Sequence, residues 1–474
     1  MAIVKIIDPV TRIEGHLSVD ITIDANKVVD AHCTGTLFRG FETILKGRHP
    51  WDAPVITQRI CGVCPISHGQ AAVMALDNAG ARTAPANGRI LRNLTLASNY
   101  IQSHILHFYL LTAVDYVQGP GVSPWTPSYT VDMRVPASVT AAVLNNLMIA
   151  IEARRRAHEM GAIFAGRMPT ASSLISGGHT AQVTADNINR FRTQLTWLTN
   201  FIQNTYLPDV QTIGSVYSDY FAIGKGHGNL LAYGVFEQDD SQNQKLLKMG
   251  YVENGKTGTA ADVDLASIKE AVTYSWYDNA TNNLPPSSGD TLPVYPKTGA
   301  YSWLKAPRYQ DKPCETGPLA RMWVNGDYQK GISVMDRHVA RANEALKVAL
   351  AMNDWLNQLV IGGPVYDNDR MPTTGEGVGL TEAPRGALGH WVKIANGLIS
   401  QYQVITPTCW NASPRDDKNV TGPIEQALIG TPVQNPDQPI EVLRVIHSFD
   451  PCLSCAVHVM RPGKKPVTLE TRTA

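Results

Sequence analysis

Two Cys-x-x-Cys pairs stand near opposite ends of this chain, Cys61-Gly62-Val63-Cys64 and Cys452-Leu453-Ser454-Cys455. Together they offer four soft thiolates, the donor set of a metal site. A zinc ribbon keeps its two pairs about 15–20 residues apart. Here 387 residues lie between Cys64 and Cys452. A chain that joins these pairs must close its whole length around the metal. The spacing therefore predicts a buried site at the centre of a large fold, not a local staple.

The remaining composition narrows the class. The chain has 474 residues, 43% of them hydrophobic, so it can bury a large core without disulfides. Length alone allows two or three domains, but the pattern along the chain reads as one integrated unit, 1–474. Lys+Arg and Asp+Glu are both 41, a balance that argues against nucleic-acid binding. No run approaches the ~18 apolar residues of a membrane span. The start, Met1-Ala2-Ile3-Val4-Lys5, lacks the basic and apolar regions of a signal peptide, so any export is expected to rely on a partner. Seven cysteines, four of them in tight pairs, do not form a secreted disulfide framework. Cys33, Cys314 and Cys409 have no partner at ligand spacing and are expected as free buried thiols.

The periodicity predicts an α+β fold, mainly α. In residues 1–36 Leu17, Val19, Ile21 and Ile23 alternate with Ser18, Asp20, Thr22 and Asp24, which is strand patterning. Asp24-Ala25-Asn26-Lys27 supplies a turn. Residues 54–80 become helical around the first Cys pair. Long helices are expected over 88–117, 137–164, 183–204 and 332–360, apolar enough to pack as a buried bundle. Residues 236–313 are polar and rich in Gly, Asn and Pro. They read as an irregular α+β excursion with short strands such as Tyr274–Tyr277.

Cysteines three apart share a face if they lie on one helical turn. That places Cys61 with Cys64, and Cys452 with Cys455 on a helix started by Pro451. Two helix starts would then supply the four sulfurs, their positive ends favouring thiolate. On the cysteine pattern alone a structural zinc is the common solution.

The flanking residues point elsewhere. Asp8-Pro9-Val10-Thr11-Arg12-Ile13-Glu14-Gly15-His16, Phe38-Arg39-Gly40-Phe41-Glu42 and Arg59-Ile60-Cys61-Gly62-Val63-Cys64 resemble signature segments of the large subunit of nickel–iron hydrogenases, of the uptake, membrane-bound type. So do Glu382-Ala383-Pro384-Arg385-Gly386, Thr406-Pro407-Thr408-Cys409-Trp410-Asn411 and Asp450-Pro451-Cys452-Leu453-Ser454-Cys455-Ala456-Val457-His458. The segments keep the family's order across residues 8–458. The related large subunit of respiratory NADH dehydrogenase lacks the cysteine quartet.

The resemblance implies a set of roles. Cys64 and Cys455 would bridge nickel to an iron carrying one CO and two cyanides, with Cys61 and Cys452 terminal on nickel. Four thiolates and two cyanides outweigh two divalent metals, so the buried site is negative and needs cationic support. Arg385 would overhang it, with Asp450 as its partner. The proton of H2 would go to the Cys452 sulfur or to Arg385 and leave through Glu14, and His68 would donate a hydrogen bond to a bridging sulfur. Pro384, Pro407 and Thr408 would contact the cofactor, Pro407 and Thr408 around a cyanide. Glu42, the Val404 carbonyl and His458 would hold a second, hard metal, usually magnesium. One departure stands out: in Gln102-Ser103-His104, Ser103 occupies a place that is often Asp in the family, removing a carboxylate partner of Arg385.

The implied activity is that of a hydrogen:acceptor oxidoreductase, a [NiFe] hydrogenase that cleaves H2 heterolytically. The chain has no spare cysteine set for iron–sulfur clusters, so an iron–sulfur small subunit is the implied obligate partner. Nickel-insertion chaperones and a maturation protease are also implied, the latter cutting after His458 to remove the 459–474 extension. A membrane cytochrome or quinone-linked subunit, and a periplasmic face reached with the small subunit, belong to the same type; a cytoplasmic location is the alternative. Two other functions stay open, a hydrogen-sensing regulatory subunit and a non-enzymatic zinc scaffold. The tail after His458 argues against the sensor, which usually lacks one. Metal content separates the scaffold.

Overall fold

The computed structural model describes residues 2–453 apart from 127, 242–243 and 368–370. Cys455, His458 and the 459–474 extension lie outside the described residues.

The chain opens with an antiparallel sheet of β1 (Ile3–Ile7), β2 (Leu17–Asp24) and β3 (Lys27–Gly35), in that order. The alternation in β2 explains it: Leu17, Val19, Ile21 and Ile23 are buried while Asp24 is exposed. Ala25 and Asn26 turn the β2–β3 hairpin with φ of 46° and 58°. Two positive φ values are what the two-residue turn matching strand twist requires. The loop between β1 and β2, which carries Arg12 and Glu14, is closed by Val10 N donating to Leu17 O at 2.8 Å.

A short helix, Ala53–Thr57, precedes the first cysteine pair, and α1 (Pro65–Ala79) follows it. The expected shared helical turn is absent. Cys64 is the N-cap of α1 with φ −123°, and Cys61 lies in the loop before it. Pro65 explains this. It suits the first position of a helix and pushes the residue before it out of the α region.

The helical layer is built on α2 (Ala86–Leu106), whose residues Asn87–Ile105 are all buried. A helix buried all round lies in the middle of its neighbours. Here those are α3 (Ala137–Ala165) on one side and, further along the chain, a helix described below. The expected helix over 88–117 changes form at its end: a π-helical turn, His107–Thr112, and a 3-10 turn, Ala113–Asp115, complete it. Then α4 (Ala185–Phe201) packs on α3.

The excursion contains two antiparallel ribbons, Leu230–Glu237 with Lys245–Val252 and Ile268–Ala271 with Ala306–Tyr309. The strand expected at Tyr274–Tyr277 is instead a turn with isolated bridges to Pro293 and Ser302. Tyr277 N donates to Ser275 O at 2.7 Å, closing the backbone on itself instead of along a ladder. Next come α5 (Pro318–Asn325) and α6 (Val334–Gln358), which packs on α2 and α4.

The last sheet is a meander of β4 (Gly375–Ala383), β5 (Gly386–Ala395) and β6 (Leu398–Ile405). It lies directly on α1. A Cβ on Gly377 or Gly379 would fall 2.1 Å from Ala75 O or 2.0 Å from Ala71 O. Only glycine permits this approach, which brings the β4–β5 turn to the cysteine end of α1. From β6 the chain enters α7 (Pro407–Asn411), and α8 (Ile440–Ser448) leads to the second cysteine pair.

The helix expected after Pro451 does not begin at Cys452. Asp450 takes a left-handed φ of 55°, and Cys452 forms a parallel bridge with Glu14. Tertiary pairing claims the backbone there, since Leu453 N donates to Glu14 O at 2.6 Å.

Candidate metal centre

Cys61, Cys64 and Cys452 meet in one small apolar cluster with Ile60, Ala71, Ala383 and Leu388. All three cysteines are buried, and their sulfurs lie within 4.8 Å of one another. Cys61 Sγ and Cys452 Sγ are 3.2 Å apart, well beyond the ~2.05 Å of a disulfide. Val63 N and Cys64 N each donate to Cys61 Sγ at 3.3 Å, which favours sulfur as thiolate. Among the described residues this is the only group of His, Cys, Asp or Glu gathered tightly enough to hold a metal. The donors are soft and converge from two distant segments of the chain, as a thiolate-bound metal requires. Cys455, the fourth expected ligand, lies outside the described residues.

Arg385 sits at the tip of the β4–β5 hairpin, where Ala383 pairs with Gly386 around Pro384 and Arg385. Gly386 has φ 143° and lies so close to Thr316 that a Cβ would fall 2.2 Å from its hydroxyl. The guanidinium is buried, its Nε 3.0 Å from Asp450 Oδ1. That is an ion pair by distance, but the N–H is not aligned on the oxygen. Nε, Nη1 and Asp450 Oδ2 are all left without hydrogen-bond partners. Burial works against the Arg385 charge, yet Asp450, Cys452, Cys64 and Cys61 outweigh it and hold the group firmly protonated. Unpaired buried donors beside a sulfur cluster are costly unless an acceptor occupies the space between them. This fits a negatively charged metal group.

The hairpin tip is clamped by a residue that motif reading missed. Arg321, on α5, uses its whole donor fork. Nη1 bonds Glu382 Oε2 at 2.7 Å and Ala383 O at 3.0 Å. Nη2 bonds Pro384 O at 2.8 Å and Glu344 Oε1 at 2.6 Å, and Nε bonds Glu344 Oε2 at 2.7 Å. His104 holds Glu344 from the other side at 2.9 Å. A second missed network joins Asp115 to Arg12 and, at 2.6 Å, to His447. Burial alone would raise Asp115; Arg12 and His447 overcome it and hold the carboxyl low. Neither network has a spacing signature, because its members come from distant segments.

The other sequence-predicted residues fall into two groups. Around the sulfurs, Thr408 Oγ1 accepts from Cys452 N at 2.9 Å, leaving its own hydrogen free to donate. Pro407 starts α7 beside it, after Thr406 caps the helix by accepting from Cys409 N at 3.3 Å. Pro384 is buried at the clamped tip. Half-buried Glu14 places Oε1 3.6 Å from where a Gly62 side chain would begin, next to Cys61. His68 is fully buried on α1, and burial pushes its pKa down to about 4. Ser103 is buried on α2 with an unpartnered hydroxyl.

Glu42 and Val404 meet in a separate cavity of about 60 Å³, also lined by Glu270, Lys305 and Cys409. Val404 N donates to Glu42 Oε1 at 2.9 Å, and the Thr291 hydroxyl donates to Oε2. Lys305 Nζ pairs with Glu270 at 3.1 Å. Among the described residues the expected second-metal ligands here are thus Glu42 and Val404; His458 lies outside them.

Comparison with known proteins follows the same map. The family model described as nickel-dependent hydrogenase matches residues 39–132, 118–332 and 324–458, and a model described as HoxL-like matches 5–34. The chain is 46% identical to the periplasmic [NiFeSe] hydrogenase large subunit of Desulfomicrobium baculatum, covering 96% of this chain and 94% of that one. It is 34% identical to the uptake hydrogenase large subunit of Bradyrhizobium diazoefficiens, covering 96% and 95%. The solved Ni-Fe-Se hydrogenase of Desulfovibrio vulgaris Hildenborough, in its reduced state, superposes with a TM-score of 0.94 at 42% identity, covering 97% of this chain and all of that one. With motifs, fold and sulfur cluster in agreement, the chain belongs to the nickel-dependent hydrogenase family, as a large subunit.

Proposed function

We propose that this subunit carries a nickel–iron centre on Cys61, Cys64, Cys452 and Cys455 and oxidises H2 there. The observation that carries this reading is the convergence of three buried sulfurs with the clamped, unpaired donors of Arg385. The relative from Desulfomicrobium contains selenium by name; this chain offers cysteine at all four positions. When bound, the centre, with its CO and two cyanide ligands, supplies the Lewis acidity that polarises H2.

The chain's own residues handle charge and protons. Arg385 keeps its charge too firmly to serve as a base, so it orients and neutralises while Cys452 Sγ first holds the proton. Asp450 aligns Arg385, and the Thr408 hydroxyl, which accepts from Cys452 N, would have its hydrogen left to donate to a cyanide. Glu14, joined to Cys452 by backbone pairing, takes the proton outward as a carboxyl relay. His68 would donate its Nε2 hydrogen to a cysteine sulfur of the centre.

Electrons need another route. Cys33 and Cys314 are buried apart from the site, and no second cysteine cluster exists among the described residues. An iron–sulfur small subunit therefore takes the electrons. Magnesium at Glu42, Val404 and His458, maturation by a protease cutting after His458, nickel-insertion chaperones and export to the periplasmic face with the partner complete the proposal. No helix among the described residues is long and apolar enough to cross a membrane, so membrane association would come through a cytochrome or quinone-linked subunit. Metal analysis of the purified two-subunit complex, paired with H2-dependent dye reduction, tests the function. Nickel and iron with activity support it; zinc alone without activity overturns it.

A further inference from the structure

His68, the proposed sulfur donor, ends a buried chain whose other members, His390 and Tyr402, have no part in the reaction above. His68 Nδ1 lies 3.2 Å from His390 Nε2 on β5, and His390 Nδ1 lies 2.8 Å from the Tyr402 hydroxyl on β6. All three residues are fully buried. His68 Nε2 is the open end, buried and without a partner. It lies on the helix that Cys64 caps, and the Cys61 charge acts on the ring.

The hydrogens of this chain can run in two senses. Burial keeps both imidazoles neutral, so each carries one N–H. In the first sense Tyr402 donates to His390 Nδ1. His390 Nε2–H then donates to His68 Nδ1, and the His68 hydrogen must sit on Nε2. In the second sense every bond reverses. The phenol hydrogen then has no acceptor among the described residues, and His68 Nε2 becomes a bare lone pair on a ring that feels the Cys61 charge. A stranded hydroxyl hydrogen in a dry interior and a buried lone pair under the influence of a thiolate charge are both unfavourable. The first sense avoids both.

The geometry points to His390 and Tyr402 as positioning residues that fix His68 as the Nε2–H tautomer and so present a hydrogen-bond donor to the cysteine sulfurs. This rests on the metal-centre reading above. A donor on a metal-bound thiolate draws electron density from it, and hence from the metals. Each bond also strengthens the next along such a chain.

Infrared spectra of the purified two-subunit complex test the inference through the stretching bands of metal-bound CO and CN, which a purely structural role would leave in place. His390→Leu is expected to shift the CO band to lower wavenumber, because sulfur that loses its donor gives more density to the metals. Tyr402→Phe, which removes one oxygen and keeps the ring, should shift it the same way by less. His390→Gln should stay near the parent position, since its amide can accept from Tyr402 and donate to His68. In the His390→Leu background, Tyr402→Phe should add nothing. Parental bands in both His390→Leu and Tyr402→Phe, or shifts that simply add, would overturn the inference. If His390→Leu fails to assemble, Tyr402→Phe decides alone: a lower CO band supports the chain and a parental band overturns it. A parent complex without CO and CN bands would instead overturn the metal-centre reading, and this inference with it.

Discussion

Glu14 and Cys452 run side by side as a parallel backbone bridge, with Leu453 N donating to Glu14 O at 2.6 Å. The bridge ties the first motif of the chain to the last. The Glu14 carboxyl lies beside Gly62, in the same loop as Cys61, whose sulfur is 3.2 Å from that of Cys452. Glu14→Gln keeps the shape and the backbone bridge but cannot carry a proton. Hydrogen–deuterium exchange should therefore fall at least about 10²-fold, in the range of a lost general acid–base group, with nickel and iron retained. Normal exchange would remove Glu14 as the proton gate.

Arg385→Lys keeps a positive charge but loses the planar fork. Lys reaches as a mobile point charge and cannot satisfy both sides of the gap between Asp450 and the sulfurs. Turnover should drop by about 10²-fold, the usual cost of one preorganised donor, while metal content stays unchanged. Undiminished H2 oxidation in a metal-replete variant would show that the fork is dispensable.

Cys64→Ser replaces a soft sulfur by a hard oxygen in a closed ligand set. Nickel content of the purified complex should fall to near zero, and activity with it. A full complement of nickel would sink the assignment of Cys64 as a ligand.

Glu425 gives a pH-dependent stability away from the site. Its buried carboxyl accepts from Cys33 N at 2.9 Å, Tyr301 Oη at 2.8 Å and Gly422 N at 3.1 Å. Burial outweighs these donors and pushes its pKa from 4.5 up to about 7. The folded chain then holds a proton that the unfolded chain releases between those values. Its stabilising contribution is full below 4.5 and lost as pH rises through about 7, a change of order 3 kcal/mol. Denaturant midpoints of the assembled complex should fall from pH 5 to pH 8, and Glu425→Gln should flatten that fall. An equal fall in the variant would assign the slope to other groups.

The legible parts of the fold were those set by local periodicity. The alternation of Leu17, Val19, Ile21 and Ile23 predicts β2, and the helix expected at 137–164 is α3 almost to the residue. Cysteine spacing and flanking motifs likewise anticipate that Cys61, Cys64 and Cys452 meet. Local geometry was less legible. Three-residue spacing suggested helical turns, but Pro65 holds Cys61 and Cys64 off a shared turn and the Glu14 bridge holds Cys452 in extended pairing. The support of the site was not legible at all. Arg321, Glu344 and His104 share no motif, and a buried ion pair is specified by elements that meet only after folding. Tyr402 looks like any strand aromatic until its hydroxyl is seen against His390.

The central claim is that the sulfur cluster holds a nickel–iron group and not a structural zinc. Infrared spectroscopy of the purified wild-type complex addresses it most directly, because few protein groups absorb where metal-bound CO and CN do. The account predicts one CO band and two CN bands in a preparation containing nickel and iron. A spectrum empty in that region, from a complex whose cysteines hold zinc, would contradict it.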